Sequence, residues 1–308
     1  YYYGVNQKTG LIDYDDLRAK ALEIKPLVLL AGYSAYPRGI DFSIMREIAD
    51  SVNAVLWVDM AHFAGLVAGK VFQGKENPVE YADIVTTTTH KTLRGPRGGM
   101  VLCKNWLKDH VNKGCPLVIG GPLPHVMAAK AIAFVEAQKD EFKSYAASIV
   151  KNAQALAGAF EQLDFKITTG GTDNHMLLLD VTPFGLTGKQ AEYILRECGI
   201  TLNRNSLPND RNGPWYTSGL RIGTPAITSL GMGTDEMKEI ADIIKAVLDA
   251  VKPAVILEGE NKGKLSRANT VIDEKTKENS RTRVKALLDR FVLYPELDLN
   301  FLMEQFLI

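Results

Sequence analysis

The sequence predicts an α/β fold with a mostly parallel sheet, followed by a smaller α+β domain. Between Leu27 and Lys104, short apolar runs alternate with helical or loop segments. These runs are nearly continuous in Val, Leu and Ile, which is typical of parallel strands that are buried on both faces and joined by right-handed crossovers. The chain has 308 residues, more than a single core readily accommodates, so one large and one smaller domain are expected.

The first half of the chain contains four predicted strands and one clear helix. The helix is "DFSIMREIADSVN", with apolar residues at helical spacing and Asp41 as its N-cap. The predicted strands are "LVLLAG", "AVLWVDM", "YADIVTTTT" and "GGMVLCK". In sheets of this type, ligands bind at the carboxyl ends of the strands.

The second half mixes helices and strands. Residues 128–162 are rich in Ala, Lys and Glu and are predicted to form long helices that link the two domains. The strands "FKITTG" and "NHMLLLDV", the helix "TGKQAEYILRECGI" and the amphipathic helix "TDEMKEIADIIKAVLDAV", capped by Thr234, follow. The charged stretch 258–283 is predicted to be a solvated excursion rather than a nucleic-acid-binding patch.

Composition excludes several classes of function. Thirty-six basic residues balance thirty-six acidic ones, so we expect neither a nucleic-acid nor a membrane partner. The three cysteines form no CxxC pair, which indicates reduced thiols in a cytoplasmic protein and no metal site. No apolar run approaches the ~20 residues of a spanning helix. The chain begins at Tyr1, without Met and within a strand-like pattern, so we expect an upstream portion to be missing.

Lys91 follows directly on the threonine run in "VTTTTHKTLRGPRGG". Because an unpaired ammonium group is costly to bury at the end of an inner strand, two interpretations remain. The lysine either pairs with a carboxylate or forms an imine. His90, Arg94 and Arg97 lie nearby and would lower the pKa of such an amine.

Asp59, in "WVDMAH", ends the preceding predicted strand. Alone it would be explained as a helix N-cap, but it precedes Lys91 by about 30 residues, roughly one βαβ unit. Both side chains can therefore point into one crevice. A pyridoxal phosphate (PLP) ring needs a lysine for its aldehyde and an acid for its ring nitrogen, and Asp59 and Lys91 match these two needs.

Four further sites have a functional and a structural interpretation. His62 could contact a ring oxygen or be a satisfied core histidine. The glycines of "VIGGPLPH", Gly120 and Gly121, allow close approach to an anion or simply form a turn. Arg221, among small residues in "TSGLRIGTPA", suits a carboxylate or makes a surface ion pair. The amides of "NRNSLPND", Asn203 and Asn205, could bind a heterocycle edge or belong to a turn.

Six motifs, in this order and spacing, resemble the serine hydroxymethyltransferase family. They are "VDMAHFAG", "VTTTTHKTLRGPRGG", "GGPLPHV", "GGTDNHMLLLDV", "RNSLPND" and "TSGLRIGTPA". The similarity extends from about Tyr3 to Val251. It implies a PLP enzyme of fold type I, the aspartate aminotransferase fold. Residues 1–140 would be the C-terminal part of the PLP-binding large domain, and 141–308 the small α+β domain with a charged insertion at about 259–283.

The resemblance implies a role for each catalytic residue. Lys91 resembles the Schiff-base lysine and Asp59 the partner of the pyridinium nitrogen. His62 resembles the residue beside the 3-oxygen of the ring, and Ser34, in "GYSAYP", a serine near the same oxygen. Arg97 resembles an arginine beside the lysine.

Other positions are implied to bind the cofactor or the substrates. Thr88 and His90 would line the cofactor, with His90 near its phosphate. Gly120–Gly121 would reach the phosphate of the neighbouring subunit's cofactor, which implies an obligate homodimer or a tetramer. Arg221 would hold the substrate carboxylate, and Asn205 would contact folate.

The implied reaction interconverts serine plus tetrahydrofolate with glycine plus 5,10-methylenetetrahydrofolate, through a PLP external aldimine. The alternatives are another PLP aldolase of fold type I, such as threonine aldolase, or a non-catalytic relative. Two departures from the family pattern stand out. The family's N-terminal tyrosine, glutamate, stacking histidine and serine-glycine phosphate loop would lie upstream of Tyr1. The segment of about 259–283 and the C-terminal tail "LYPELDLNFLMEQFLI" have no functional assignment. The "RGPRGG" form resembles bacterial or plastid members.

Overall fold

The computed structural model describes residues 1–306, which form two four-stranded sheets and a separate two-stranded sheet. The strands are β1 (Val28–Gly32), β2 (Val55–Asp59), β3 (Ile84–Thr88), β4 (Gly99–Cys103), β5 (Lys166–Ile167), β6 (Met176–Asp180), β7 (Asn203–Asn205), β8 (Gly219–Gly223), β9 (Lys252–Val255) and β10 (Leu265–Val271). The helices are α1 (Tyr14–Ile24), α2 (Phe42–Ser51), α3 (Ala64–Ala68), α4 (Pro78–Tyr81), α5 (Lys108–Ile119), α6 (Pro124–Glu136), α7 (Asp140–Gln162), α8 (Gly188–Glu197), α9 (Gly213–Tyr216), α10 (Pro225–Ser229), α11 (Thr234–Ala250), α12 (Glu274–Arg290) and α13 (Leu299–Phe306).

The first sheet has the order β1-β2-β3-β4. The strands β1, β2 and β3 run parallel, whereas β4 is antiparallel to β3. The predicted α/β fold with a mostly parallel sheet is confirmed. Asp59 pairs with Gly32 on one side and Thr86 on the other, so the carboxyl ends of β1, β2 and β3 form a common edge.

One face of this sheet is open to solvent within residues 1–306, so the prediction of burial on both faces is wrong for this part of the chain. Along β1 and β2, buried and exposed side chains alternate. Helix α2 buries Met45 and Ile48 completely in the first core. On the opposite face, Leu30 is 55% exposed and Trp57 37% exposed. The apolar side chains on this second face are therefore not covered by any element of residues 1–306.

Helix α7 belongs to two hydrophobic cores. Its Ala146 and Ile149 pack into the core around the first sheet, and its Leu156 and Phe160 pack into the core around the second sheet. The second sheet is antiparallel, with the order β5-β6-β8-β7. The prediction of long helices over 128–162 is confirmed by α6 and α7.

The two predicted helix caps had different outcomes. Asp41 caps α2, because its Oδ1 accepts hydrogen bonds from the backbone N–H groups of Ser43 (3.1 Å) and Ile44 (3.3 Å). Thr234 does not cap α11 but is its first residue, and Gly233 holds the N-cap position. Glycine has no side chain that could cap the helix. At this helix start, the backbone N–H of Gly233 instead donates a hydrogen bond to Glu236 Oε2 at 2.9 Å.

The charged segment 259–283 is largely exposed, as predicted for a solvated stretch, but it has regular structure. Strand β10 pairs with β9, and α12, which extends beyond the segment to Arg290, packs against α11 and buries its Leu287, which is 5% exposed. The charges lie on the outer side, and a few small or apolar side chains attach the segment to the second core. None of the helices in 1–306 is long and apolar enough to cross a membrane.

Candidate functional site

A cavity of about 690 Å³ lies where the carboxyl edge of the first sheet faces the second sheet. The part of the chain around the first sheet contributes His62, His90 and Lys91. The part around the second sheet contributes His175, Asn203 and Arg221. Polar side chains from distant parts of the chain therefore face one space.

Lys91 lies in the turn after β3, three residues beyond the end of the strand at Thr88. Its side chain is exposed and borders the cavity. Among residues 1–306, no carboxylate forms an ion pair with it. The interpretation of Lys91 as a buried lysine paired with a carboxylate is therefore wrong, and the amine is accessible to a ligand.

Thr92 connects the Lys91 turn to the turn after β2. Its Oγ1 donates to the backbone oxygen of His62 at 3.0 Å and accepts from the backbone N–H of Gly65 at 2.9 Å. A Cβ atom on Gly65 would lie 2.1 Å from the backbone oxygen of Thr92. Only glycine allows this approach, which fixes the position of Lys91 relative to His62.

Asp59 ends β2 at the same edge of the sheet, beside the strand that leads to Lys91. Its Oδ1 accepts a hydrogen bond from the backbone N–H of Ala61 at 2.9 Å. No hydrogen bond to Oδ2 is found within residues 1–306, and the side chain is exposed. Asp59 therefore stabilises its own turn, as a helix-cap interpretation suggests, and still presents a carboxylate oxygen to a ligand.

His62 and His175 stack with ring centroids 6.0 Å apart and an interplanar angle of 18°. Burial, with the Lys91 and Arg221 cations, lowers the pKa of His62 to about 4, and the Asp59 carboxylate opposes this shift. Burial, with His62 and Arg221, lowers the pKa of His175 to about 3. Both rings are therefore neutral near pH 7, and they can accept or donate hydrogen bonds without adding positive charge.

The buried His175 should make stability depend on pH. Its pKa is lowered in the folded protein, so below about pH 6.5 the unfolded chain binds more protons and stability falls as the pH falls. Lowering the pH from 7 to 5 should cost about 2 kcal/mol of unfolding free energy through this residue. Urea unfolding of the wild type and His175→Phe at both pH values measures it.

The variant should lose this part of the pH dependence, because phenylalanine keeps the ring but cannot bind a proton. The exposed His110 provides the control, and His110→Gln should behave like the wild type. Equal pH dependence in the wild type and His175→Phe would contradict the prediction.

Arg221 lies in β8 and is half-buried. Its Nε donates to Asn203 Oδ1 at 3.1 Å, and its Nη1 donates to the backbone oxygen of Ser34. Burial lowers its pKa. No carboxylate within residues 1–306 pairs with it, so the surface ion-pair interpretation is wrong. The guanidinium is oriented by neutral acceptors, and its charge remains available to an anionic ligand.

Arg97 is exposed and does not border the cavity. Of the two arginines that follow Lys91 in this motif, it is Arg94 that borders the cavity, and its guanidinium carbon lies 4.4 Å from the centroid of the Tyr145 ring. Arg94 has a positive φ of 59°, which turns the chain three residues after Lys91. Sequence spacing alone could not distinguish these two arginines.

The other predicted residues differ in whether they border the cavity. His90 borders it, and its Nδ1 accepts from the Gly98 backbone N–H at 3.4 Å. Thr88 ends β3, with its Oγ1 3.5 Å from the Ala61 backbone oxygen. Ser34 is exposed and contacts Arg221 through its backbone oxygen. Asn205, in β7, and Gly120–Gly121, after α5, do not border the cavity.

Sequence reasoning missed His175 and Tyr145. His175 is 5% exposed, and its Nδ1 is buried without a hydrogen-bond partner within residues 1–306. Three of the five histidines in the chain border this cavity. The histidine of "GGTDNHMLLLDV" was a signal that could have been used. Tyr145, inside the long α7, had no such signal.

The fold and the site define an α/β protein that presents a lysine amine and an aspartate at the carboxyl edge of a parallel sheet, opposite an arginine that forms no ion pair within the described part of the chain. Comparison with known proteins narrows this class. The family model for serine hydroxymethyltransferase matches residues 1–244. The chain belongs to the serine hydroxymethyltransferase family, whose members are PLP enzymes of fold type I.

The similar curated proteins carry the same name. A serine hydroxymethyltransferase of Treponema pallidum is 59% identical over 304 residues, 99% of this chain and 52% of that protein. Those of Salinispora tropica and Chlamydia muridarum are each 54% identical over 97% of this chain, which covers 62% and 60% of their lengths. The chain thus spans between half and two thirds of these relatives.

Proposed function

We propose that the protein is a serine hydroxymethyltransferase, which interconverts serine plus tetrahydrofolate with glycine plus 5,10-methylenetetrahydrofolate. One observation carries the proposal: the amine of Lys91 and the guanidinium of Arg221 border the same cavity, and neither forms an ion pair with a carboxylate of residues 1–306. The carboxylate of an amino-acid substrate would bind the arginine, and the lysine amine would react with the carbonyl group of a cofactor. Membership of the family supports the proposal.

The residues present suit PLP. Lys91 would hold its aldehyde carbon covalently, Asp59 its ring nitrogen, and His62 and Ser34 its 3-oxygen. Thr88 would line the cofactor, and His90 would lie near its phosphate. When bound, the cofactor supplies an electron sink for the pair left on the substrate α-carbon.

The protein residues would orient the groups and control protonation. The free oxygen of Asp59 would keep a proton on the ring nitrogen. Arg221 would bind the substrate carboxylate through two parallel N–H groups, and so set the angle of the bond to be broken. His62, neutral because of its lowered pKa, would donate a hydrogen bond without repelling the neighbouring cations.

The arrangement of domains belongs to the proposal. Residues 1–140 would form the C-terminal part of the PLP-binding large domain, and 141–308 the smaller α+β domain. The two separate hydrophobic cores support this division, although α7 contributes to both. A cytoplasmic location and the absence of a nucleic-acid partner stay predictions.

We also propose that the protein is a homodimer or a larger assembly. Leu117, Val118 and Ile119 at the end of α5 are 76%, 83% and 77% exposed. A Cβ on Gly120 or Gly121, which follow them, would meet no atom within 4 Å. An exposed apolar patch beside two open glycines is typical of a surface that another subunit covers.

Placing a charge in this patch should weaken subunit association. Val118→Asp should raise the dissociation constant of the dimer by about 10²-fold, since an unpaired carboxylate would be buried at the interface. Sedimentation velocity over a concentration series measures it. Tyr193→Asp, at an exposed aromatic residue on α8, is the control. Association equal to that of the wild type in Val118→Asp would place the interface elsewhere.

The central test is cleavage of serine with and without tetrahydrofolate. We expect the purified protein with PLP to form glycine faster when tetrahydrofolate is present. Turnover of threonine with no folate effect would favour a threonine aldolase, and absence of cofactor binding would favour a non-catalytic relative.

A further inference from the structure

The hairpin of β9 and β10 is attached to the start of α8 through its backbone. Gln190 Nε2 donates to the backbone oxygens of Ser266 (2.7 Å) and Asn269 (3.1 Å). Thr187 Oγ1 donates to the backbone oxygen of Arg267 at 2.8 Å. Gln190 and Thr187 are 1% and 8% exposed. These buried contacts fix the position of the hairpin backbone at Arg267, and therefore the point from which its side chain extends.

The side chain of Arg267 reaches the loop of residues 206–218, which joins β7 to β8. Its Nη2 donates to Asn212 Oδ1 at 2.8 Å and to the backbone oxygen of Asn212 at 3.3 Å. Its guanidinium carbon lies 4.3 Å from the centroid of the Tyr216 ring. Arg267 therefore makes both polar and cation–π contacts with the same loop.

The loop is a hydrogen-bonded unit organised by Asp210. Its carboxylate accepts from the backbone N–H groups of Leu207 (3.1 Å), Asn212 (2.8 Å) and Ser218 (2.7 Å). It also accepts from Ser218 Oγ at 2.6 Å. Because Asp210 connects both ends of the loop with Asn212, a restraint applied at Asn212 is transmitted to Leu207, two residues after β7.

The two strands flanking the loop differ in how firmly they are held. Strand β8 is central: it pairs with five residues of β6 and with three of β7. Strand β7 is a three-residue edge strand with β8 as its one partner in the sheet. Movement of the loop should therefore displace Asn205, at the end of β7, more than Arg221, within β8.

We propose that Arg267 is a positioning residue that fixes the 206–218 loop, and through it Asn205, and so sets the affinity for the pteridine-bearing cosubstrate. The inference rests on the proposed function and on the folate contact that the family resemblance implies for Asn205. It assigns a role to the charged segment that is otherwise unexplained. This segment lies beyond residue 244, where the match to the family model ends. The match to the Treponema relative, in contrast, covers 99% of the chain.

The test compares Arg267→Ala with the wild type. We expect the KM for tetrahydrofolate to rise about 5- to 10-fold, because the two hydrogen bonds from the Arg267 guanidinium to Asn212 and one cation–π contact are lost. The KM for serine and the kcat at saturation should stay within about 2-fold. Arg267→Lys, which keeps a cation over Tyr216 but not the planar fork, should be intermediate.

Arg281→Ala is the matched control. Arg281, in α12 of the same charged segment, donates from Nε to the backbone oxygen of Glu197 in α8 at 2.8 Å and has no hydrogen bond to the loop. Its removal should leave the KM for folate unchanged. A similar rise in Arg281→Ala, or an equal rise in both KM values of Arg267→Ala, would overturn the proposal.

Hydrogen exchange separates this inference from the proposed function. Arg267→Ala should exchange the amide protons of 206–218 faster by about 5- to 10-fold, while those of β6 and β8 keep their protection. If the wild type shows no folate-dependent turnover, the proposed function fails and the exchange result still tests the positioning. Unchanged exchange in the loop would refute the role of Arg267.

Discussion

Lys91→Ala should remove the visible absorbance of the PLP-loaded protein and lower serine turnover by about 10³-fold or more. Two functions are lost together, the covalent attachment of the cofactor and an amine able to move protons beside it. The amine is exposed, borders the cavity and has no ion-pair partner within residues 1–306. Its removal therefore deprives no carboxylate of an ion-pair partner. The variant should keep the melting temperature of the unloaded wild type.

Lys104→Ala is the control for this substitution. Lys104 follows β4 as Lys91 follows β3, and it is also exposed. Because β4 runs antiparallel to β3, Lys104 lies at the opposite edge of the sheet. Its removal should leave both colour and turnover intact. Reduction with borohydride, followed by peptide mapping, should locate the cofactor on Lys91, and attachment at another lysine would show the assignment to be wrong.

Arg221→Ala should lower kcat/KM for serine by about 10²- to 10³-fold, mostly through a higher KM. Loss of one partner of a desolvated charge pair costs several kcal/mol, and each 1.4 kcal/mol is about tenfold. Arg221→Lys should recover little of this, since a single ammonium cannot bind both carboxylate oxygens in the same plane. Steady-state kinetics with serine, and with an amine lacking the carboxylate, measure the effect.

The contrast between the two substrates is decisive for Arg221. A substrate without a carboxylate should react equally slowly with the wild type and Arg221→Ala. Arg196→Ala is the control, because the exposed Arg196 already pairs with Glu192 at 3.5 Å. Asn203→Ala should cause a smaller loss, since it removes the acceptor that orients Arg221 Nε. An unchanged KM for serine in Arg221→Ala would exclude it as the carboxylate site.

The open sheet face and the charged segment show why some sequence predictions failed. Val, Leu and Ile runs predict burial, but burial depends on which elements pack on each face, and within 1–306 one face stays exposed. The charged segment 259–283 was predicted to be solvated, and its outer side is exposed. Its hairpin and helix α12 depend on a few buried contacts, such as Leu287, that are weak signals in a polar sequence.

The sequence by itself determined the α/β class, the strand ends that carry Asp59 and Lys91, and the motifs of the family. These features are local or periodic: alternating strands and helices place chemically distinctive residues at one edge of the sheet. The tertiary structure decided that Arg221 is held by Asn203 and Ser34, that His175 stacks on His62, and that Arg267 contacts the loop beside Asn205. Each of these contacts joins residues from different elements, most of them far apart in the chain, and no sequence periodicity specifies which side chains meet there.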